Sequence, residues 1–364
     1  MKKTPLLVIA VSALALASCS DEETLGVKSF SDNEGITFRS GMASRATETT
    51  NANLSSIYVT AFDGTTPYFE NVNYVKGEDS YFTSPEKYAW LEKDRTLQFF
   101  AYSPSMDELG ADITAATGKA GLTLENFSVP EDIADQVDFI TANASGSRSA
   151  NESTGVELTF DHRLSQIELQ AKSDNKTYTY KVVGMRIGRP QYMGSFDFTT
   201  NEWTLDDWHD TYVYESRCDE VTLTSTPQSI MGPSGNAMLL PQKLTPWQPL
   251  NDPDNVAREA YLSVLVRITR TDNGYQMYPF TGDTQKDESG NLRQYAWASI
   301  PLSGTWEQGK KYVYILDFTD GAGTVDPDDP TPGEPVLGGE IKFKVTVNDW
   351  VDTPNPTPMT PTVK

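Results

Sequence analysis

The stretch that decides the fold class is Val156-Glu157-Leu158-Thr159-Phe160-Asp161-His162-Arg163-Leu164-Ser165. Every second residue from Val156 to Phe160 is apolar, and the same alternation returns from Ile167 to Ala171. Successive side chains of a β-strand point to opposite faces, so this pattern predicts two strands, each with one buried face.

Similar runs lie on both sides of this stretch and are separated by turn residues such as Asp63-Gly64 and Thr200-Asn201. They occupy residues 57–62, 68–75, 97–102, 178–187, 261–268 and 312–318. Many strands with little helical periodicity predict an all-β fold of antiparallel β-sandwiches. A Ser/Asn/Gly-rich break near residues 145–156 predicts two domains, an N-terminal β-sandwich at 36–153 and a C-terminal β-sandwich at 154–318.

The composition changes again after residue 318. Residues 319–339 are rich in Pro and Asp and predict a stiff linker. The strand predicted at 340–352 is apolar at every second position, namely Ile341, Phe343, Val345 and Val347, and a Pro/Thr-rich tail follows at 353–364. Such a strand can complete the sheet of its own domain or reach another molecule, and the sequence leaves both readings open.

The first 19 residues have the character of a lipoprotein signal peptide. Lys2 and Lys3 precede an uncharged apolar run at 5–17, which is shorter than the roughly 20 residues that a membrane-spanning helix needs. Leu16-Ala17-Ser18-Cys19 then predicts lipid attachment at Cys19, with a polar, acidic tether at residues 20–35. We therefore expect a surface-exposed lipoprotein that the lipid on Cys19 holds in the cell outer membrane.

Charge and cysteine content limit the partners of the chain. The 364 residues carry a formal net charge of −22, and such an acidic surface repels the phosphate backbone of nucleic acids. Cys218 is the only cysteine besides Cys19, so once Cys19 is lipidated no intrachain disulfide can form. The fold must then depend on its hydrophobic cores.

Residue patterns for catalysis or metal binding are weak, and we expect neither an enzyme nor a cofactor. His162 and His209 are the only histidines; Asp161-His162 could mimic a general base and its orienting carboxylate, but a packed histidine is the commoner case. There is no zinc-ligand spacing. Acidic loops at 252–254 and 283–291 lack the spacing of a calcium loop. Trp203, Trp208 and Trp247 could form a sugar-binding platform or simply pack in the core.

The order of several motifs resembles the fimbrillin family, the subunits of type V pili of diderm bacteria. These are the lipid-attachment box, an early Ile-x-Phe strand, a Ser-Arg-Ala-Thr loop at 44–47, and strands at Phe99-Phe100-Ala101-Tyr102, Gln136-Val137-Asp138-Phe139 and 158–165. The resemblance covers residues from about 30 to 352. It implies two transthyretin-like β-sandwich domains in tandem.

The resemblance also implies a route of assembly. An arginine-directed protease would cut at Arg45-Ala46 and remove the lipidated segment with its first strand, Ile36, Thr37 and Phe38. A strand from a neighbouring subunit would fill the groove, and here the candidate donor is Ile341, Phe343, Val345 and Val347. Arg39 offers a second cleavage site.

Two functional hypotheses follow. In the first, the protein is a structural subunit of an adhesive surface fimbrium, and its partners are other pilus subunits. In the second, it is an outer-membrane lipoprotein that does not polymerise and binds a host protein or glycan. Cleavage with an arginine-specific protease distinguishes them, because only a pilus subunit should then form oligomers.

Overall fold

The computed structural model describes residues 35–42, 53–206, 212–248, 259–280, 293–329 and 331–350. These residues form an all-β protein of the kind that the alternating pattern predicts. The helices are short, α1 (Met106–Leu109) and α2 (Arg148–Asn151), with 3-10 turns at Glu92–Asp94, Ile133–Asp135 and Gly232–Ser234. None of the helices within the described ranges has the length and apolar character needed to cross a membrane.

The described residues form 24 strands, numbered here in chain order. The first nine are β1 (Phe38–Met42), β2 (Ser56–Asp63), β3 (Thr66–Lys76), β4 (Tyr81–Thr83), β5 (Leu97–Ser103), β6 (Asp112–Ala115), β7 (Leu122–Ser128), β8 (Ile140–Gly146) and β9 (Val156–His162). The next eight are β10 (Ser165–Lys172), β11 (Tyr178–Gly188), β12 (Met193–Asp197), β13 (Glu202–Leu205), β14 (Val213–Thr222), β15 (Gln228–Ser229), β16 (Ala237–Leu239) and β17 (Lys243–Pro246). The last seven are β18 (Glu259–Arg270), β19 (Gln276–Tyr278), β20 (Ala296–Pro301), β21 (Gly304–Thr305), β22 (Lys310–Asp317), β23 (Thr324–Val325) and β24 (Lys342–Asp349).

Seven N-terminal strands close into a ring in the order β1, β4, β3, β2, β5, β8 and β9. Pairing within the ring is antiparallel except between β1 and β9, which run parallel. The alternate inward side chains form one hydrophobic core, which includes Phe38, Val59, Phe99, Leu158 and Phe160. Closure leaves each of these strands with two hydrogen-bonded neighbours, so the ring has no free edge.

The position of β9 differs from the predicted domain boundary. Residues 156–162 were expected in the C-terminal domain, but β9 pairs with β1 and β8 and buries its apolar face in the first core. The first core therefore ends at Phe160, and β10 begins the second set of sheets at Ser165. Alternation shows which face of a strand is buried, but it does not show which strands lie beside it.

The C-terminal strands form two larger sheets around a second core. One runs in the order β15, β10, β22 and β24, with β16 also on β10, and the other is centred on β11 and β18. A four-stranded sheet joins the two parts of the chain, because β7 from the N-terminal part pairs with β12 from the C-terminal part. The second core accordingly includes Phe127 and Phe139 together with Leu169, Val264 and Tyr314.

Residues 319–339, predicted as a stiff linker, pack against the second sheet. Thr324 and Val325 form β23 on β20, and Val325 and Val336 are buried. The carboxylate of Asp326 is also buried and accepts hydrogen bonds from the hydroxyls of Ser263 (2.6 Å) and Ser299 (3.1 Å). The apolar residues scattered between the prolines explain why this segment is held on the surface of the sheet.

Several predicted features lie outside the described residues. They are the signal peptide with Cys19, most of the acidic tether, Arg45, Ala46, Trp208, His209, the two acidic loops at 252–254 and 283–291, and the tail at 353–364. The described residues begin one position before Ile36 and stop at Trp350, so both candidate exchange strands can be followed.

Candidate functional site

The first strand occupies a slot in the ring between two other strands. Phe38 and Arg39 of β1 pair antiparallel with Phe82 and Tyr81 of β4. On the other side, β1 runs parallel to β9 from the pair Phe38 and Val156 to the pair Met42 and Phe160. Because β1 has a neighbour on each side, both rows of its backbone hydrogen-bonding groups face other strands.

The side chains of this strand fill the first core. Ile36, Thr37 and Phe38 are all buried, and Phe38 is fully so. The ring of Phe38 makes edge-to-face contacts with Tyr74, at 4.8 Å between centroids, and with Phe99, at 5.2 Å. Burial, with smaller contributions from Tyr88, Tyr68 and Glu86, raises the pKa of Tyr74 well above its usual value, so this ring stays neutral. Full burial of an aromatic side chain stabilises a fold by about 1.5–3 kcal/mol, so Phe38 is a major contact of the core.

The backbone around β1 is fitted closely to the rest of the ring. The Ile36 N–H donates to the Tyr88 carbonyl at 2.8 Å, and the Thr37 carbonyl accepts from the Val156 N–H at 2.9 Å. Gly155 precedes β9 with φ +68°, and a Cβ there would lie 3.3 Å from the Thr37 carbonyl oxygen. A glycine is needed here both for this left-handed conformation and for the close approach of β1.

The two candidate cleavage arginines are in different positions. Arg39 lies within β1, pairs with Tyr81 and Glu157 across the two ladders, and has its guanidinium 3.9 Å from the Glu157 carboxylate. Arg45 lies between β1 and β2, beyond the last described residue of β1. Proteolysis requires backbone that can leave its hydrogen bonds, so the paired backbone at Arg39 is a poor substrate.

The candidate donor strand lies in its own sheet. β24 pairs antiparallel with β22 from Lys342 opposite Asp317 to Asp349 opposite Lys310, and it is the edge strand of that sheet. Ile341 is buried and Val345 and Val347 are half-buried against the second core, but 39% of Phe343 is exposed. The apolar face of this strand is thus only partly covered.

His162 is packed rather than accessible. Its Nδ1 lies 3.0 Å from Asp138 Oδ1 and 2.9 Å from Oδ2, and both side chains are buried. Because a carboxylate only accepts, Nδ1 carries the proton in this pair. The neighbouring Arg163 donates from Nε to the Thr141 hydroxyl at 2.7 Å, and burial lowers its pKa against the opposing effect of Asp161. The Asp161-His162-Arg163 triplet thus lies where β9 ends and the chain crosses to β10, at the junction of the two parts of the chain.

The described tryptophans of the sugar-platform hypothesis do not form a platform. Trp203 packs on Phe127, Phe139 and Phe196 and donates from Nε1 to the Arg163 carbonyl at 2.7 Å. Trp247 is buried beside Tyr261, 6.0 Å away between ring centroids. Trp203 is thus half-buried against the second core, and Trp247 is a buried side chain. Cys218 is half-buried, and burial, aided by Asp219, raises the pKa of its thiol.

A cleft of about 590 Å³ lies on the second sheet beside Trp297 and residues 326–329. Charged groups that line it pair with one another: Arg186 lies 3.6 Å from Asp326, and Arg293 lies 3.6 Å from Asp329. Arg186 also lies over the Trp297 ring, 4.0 Å from the centroid. In the described ranges, no group of three or more His, Cys, Asp or Glu side chains is placed to hold a metal ion.

Comparison with known families identifies the class of protein. The sequence model of the fimbrillin-like family matches residues 44–350, most of the chain. The chain therefore belongs to the fimbrillin-like family, as its motif order indicated, and it is a pilus-related subunit. This family is structural and not enzymatic. No curated protein matches the chain.

Solved structures that match the chain include proteins from Bacteroides and Porphyromonas species. A candidate cell adhesion protein from Bacteroides ovatus is 17% identical, with a TM-score of 0.47 over 88% of this chain and 99% of that one. Another from Bacteroides uniformis is 15% identical, with a TM-score of 0.44 over 87% and 98%. The fimbrial anchor protein Mfa2 from Porphyromonas gingivalis is 12% identical, with a TM-score of 0.33 over 87% and 97%.

Proposed function

We propose that the protein is a structural subunit of an adhesive surface fimbrium, exported as a lipoprotein through Cys19 and assembled by β-strand exchange after cleavage at Arg45-Ala46. Lipid on Cys19 would deliver the precursor to the outer membrane. The cut would then separate the lipidated segment, which includes β1, from the rest of the chain. The observation that carries the proposal is the position of β1, a short strand that fills the ring core and is followed directly by the segment with Arg45.

Loss of β1 would leave an open groove in the ring that favours the binding of another strand. The facing edges of β4 and β9 would lose their partners, and the slot of Ile36 and Phe38 would open onto the first core. Unpaired edges and an apolar slot together favour the addition of another strand. Cleavage alone does not empty the groove, because β1 remains held by its contacts until an incoming strand displaces it.

The C-terminal strand has the side chains that this groove requires. Ile341-Lys342-Phe343 repeats the Ile-x-Phe spacing of Ile36-Thr37-Phe38, with Val345 and Val347 continuing on the same face. In the register of β1, Phe343 would replace Phe38 opposite Val156. Phe343 is 39% exposed in its own sheet whereas Phe38 is fully buried, so transfer into the slot would bury apolar surface.

Limited digestion of the full chain with an arginine-specific protease tests the proposal. We expect a first cut after Arg45, identified by mass spectrometry, followed by oligomers that resist SDS because β-strand addition makes many hydrogen bonds at once. Arg45→Ala should prevent both events. Arg39→Ala is the matched control and should leave both unchanged, because Arg39 lies in paired backbone.

Two results would contradict the proposal. If the protein cleaved after Arg45 remains monomeric, a non-polymerising surface lipoprotein that binds a host protein or glycan becomes the better description. If Arg45→Ala is still processed and still assembles, the cleavage site lies elsewhere, and the role of the Arg45-Ala46 bond fails.

A further inference from the structure

The chain returns to the protein interior at the end of β24. Trp350, the residue directly after this strand, is buried and stacks on the imidazole of His162 with ring centroids 4.4 Å apart and planes at 14°. The indole therefore covers one face of His162, the last residue of β9, directly before the chain crosses to β10.

The surface on which Trp350 rests is buried and hydrogen-bonded. Asp138 holds His162 through its Nδ1, and the side chains of this pair are 3% and 0% exposed. The backbone N–H of Trp350 donates to the Gly309 carbonyl at 2.9 Å, and the backbone N–H of Gly309 donates to the Leu164 carbonyl at 2.9 Å. The end of the C-terminal strand is thus attached to the junction of the two parts of the chain as well as to β22.

The rest of the C-terminal strand is attached more weakly. β24 has one neighbouring strand, its lysines are exposed, and Phe343 is only partly covered. Trp350 is the largest fully buried side chain of this terminal segment, within the residues that the structure describes. Because an edge strand opens most easily from its ends, the buried contact at Trp350 secures one of the two ends from which β24 would open.

The contact is also suited to release. Neither Trp350 Nε1 nor His162 Nε2 has a hydrogen-bond partner in the described part of the chain, although both atoms are buried. An unpaired buried polar atom costs free energy that hydration recovers when the rings separate. Apolar burial and stacking hold the indole of Trp350 on His162. Its unpaired indole N–H lowers the free-energy cost of separating the two rings, because water can then bind to it.

We infer that Trp350, docked on His162, retains the C-terminal strand in its own sheet and sets how readily that strand is donated. The inference rests on the proposed strand exchange. It assigns a purpose to the Leu158–Ser165 motif, since His162 of that motif forms the docking surface for the end of the donor strand.

Hydrogen exchange and assembly rates of the full chain test this inference. In Trp350→Ala we expect the amides of β24 to exchange on the order of 100-fold faster, while those of β1 and β9 keep their protection. After arginine-specific cleavage, this variant should form SDS-resistant oligomers at least about 10-fold faster than the wild type. Trp350→Phe keeps an aromatic ring on His162 and should restore most of the protection.

Trp247→Ala is the matched control, because it truncates another buried tryptophan that packs on Tyr261. It should lower overall stability without selectively opening β24 or accelerating assembly. Unchanged protection of β24 in Trp350→Ala, or a general loss of protection like that of Trp247→Ala, would overturn the inference. If β24 opens selectively but the cleaved variant and wild type both stay monomeric, retention by Trp350 stands and the proposed strand exchange fails.

Discussion

The first and last described strands share a sequence pattern but have different surroundings. β1 and its preceding residues contain Ile36-Thr37-Phe38, and the start of the C-terminal strand contains Ile341-Lys342-Phe343. The N-terminal copy is enclosed between β4 and β9 with Phe38 fully buried. The C-terminal copy lies on a sheet edge with Phe343 partly exposed. The number of neighbouring strands, rather than the local pattern, decides how firmly each strand is held.

Because of this difference, β1 and β24 have different requirements for release in the proposed exchange. β1 is paired on both sides and places Phe38 in the core, so it leaves the ring only when a competing strand displaces it. This requirement is consistent with a covalent cut that first detaches β1 from the following chain. A strand with one ladder and a partly exposed apolar face needs only to separate from β22 and from the contact at Trp350. The four expected results below test this asymmetry.

The largest expected effect is that of Phe38→Ala. Removing a fully buried phenylalanine from a core where it contacts Tyr74 and Phe99 should lower the free energy of unfolding by about 3–5 kcal/mol. Urea denaturation followed by circular dichroism measures this change on the uncut chain. A loss below about 1 kcal/mol, the range of surface positions, would show that β1 does not contribute to the first core as described.

Sequence alone predicted much of the local structure. The runs at 57–62, 97–102 and 178–187 correspond to β2, β5 and β11, because alternation reports the buried face of a strand directly. The strand expected from Gln136 begins instead at Ile140. Gln136 donates to the Pro130 carbonyl and accepts from the Met238 N–H, and Asp138 turns inward to His162, so these residues are used in contacts that sequence cannot reveal.

The candidate site was predictable only in part. Ile36, Phe38, Ile341 and Phe343 could be chosen from their apolar spacing and from the family resemblance. The parallel pairing of β1 with β9 and the docking of Trp350 on His162 join residues that are far apart in the chain. Such contacts depend on the closure of the whole ring and on the path of residues 319–339, which no local pattern encodes.

A second expected result concerns the opening of the two strands in the uncut wild type. The hydrogen-bonded amides of β24 should exchange at least about 10-fold faster than those of β1, because one ladder and partial burial permit local opening. Native-state hydrogen exchange with peptide-level mass spectrometry separates the two segments. The amides of β18, which is paired by β11 on one side and β20 on the other, serve as the internal control because β18 does not pair with β24. Slower exchange in β24 than in β1 would reverse the proposed order of release.

The smallest expected effect is that of Phe343→Ala on the uncut chain. Phe343 is 39% exposed and contacts Tyr314 only at 6.3 Å between ring centroids, so its truncation should cost less than about 1 kcal/mol in the same urea experiment. Phe38→Ala is the matched variant, since it removes the same side chain from the same Ile-x-Phe position. A cost equal to that of Phe38→Ala would mean that the C-terminal strand is held as firmly as the first.

The same variant should behave differently once the chain is cut after Arg45. If Phe343 enters the slot that Phe38 leaves, its contribution rises to that of a fully buried aromatic side chain, about 1.5–3 kcal/mol. Phe343→Ala should therefore leave the monomer nearly unchanged but weaken the oligomers, which SDS-gel analysis at increasing temperature measures. Equal heat resistance of wild-type and variant oligomers would remove Phe343 from the interface. The remaining candidates among the predicted donor residues would then be Ile341, Val345 and Val347.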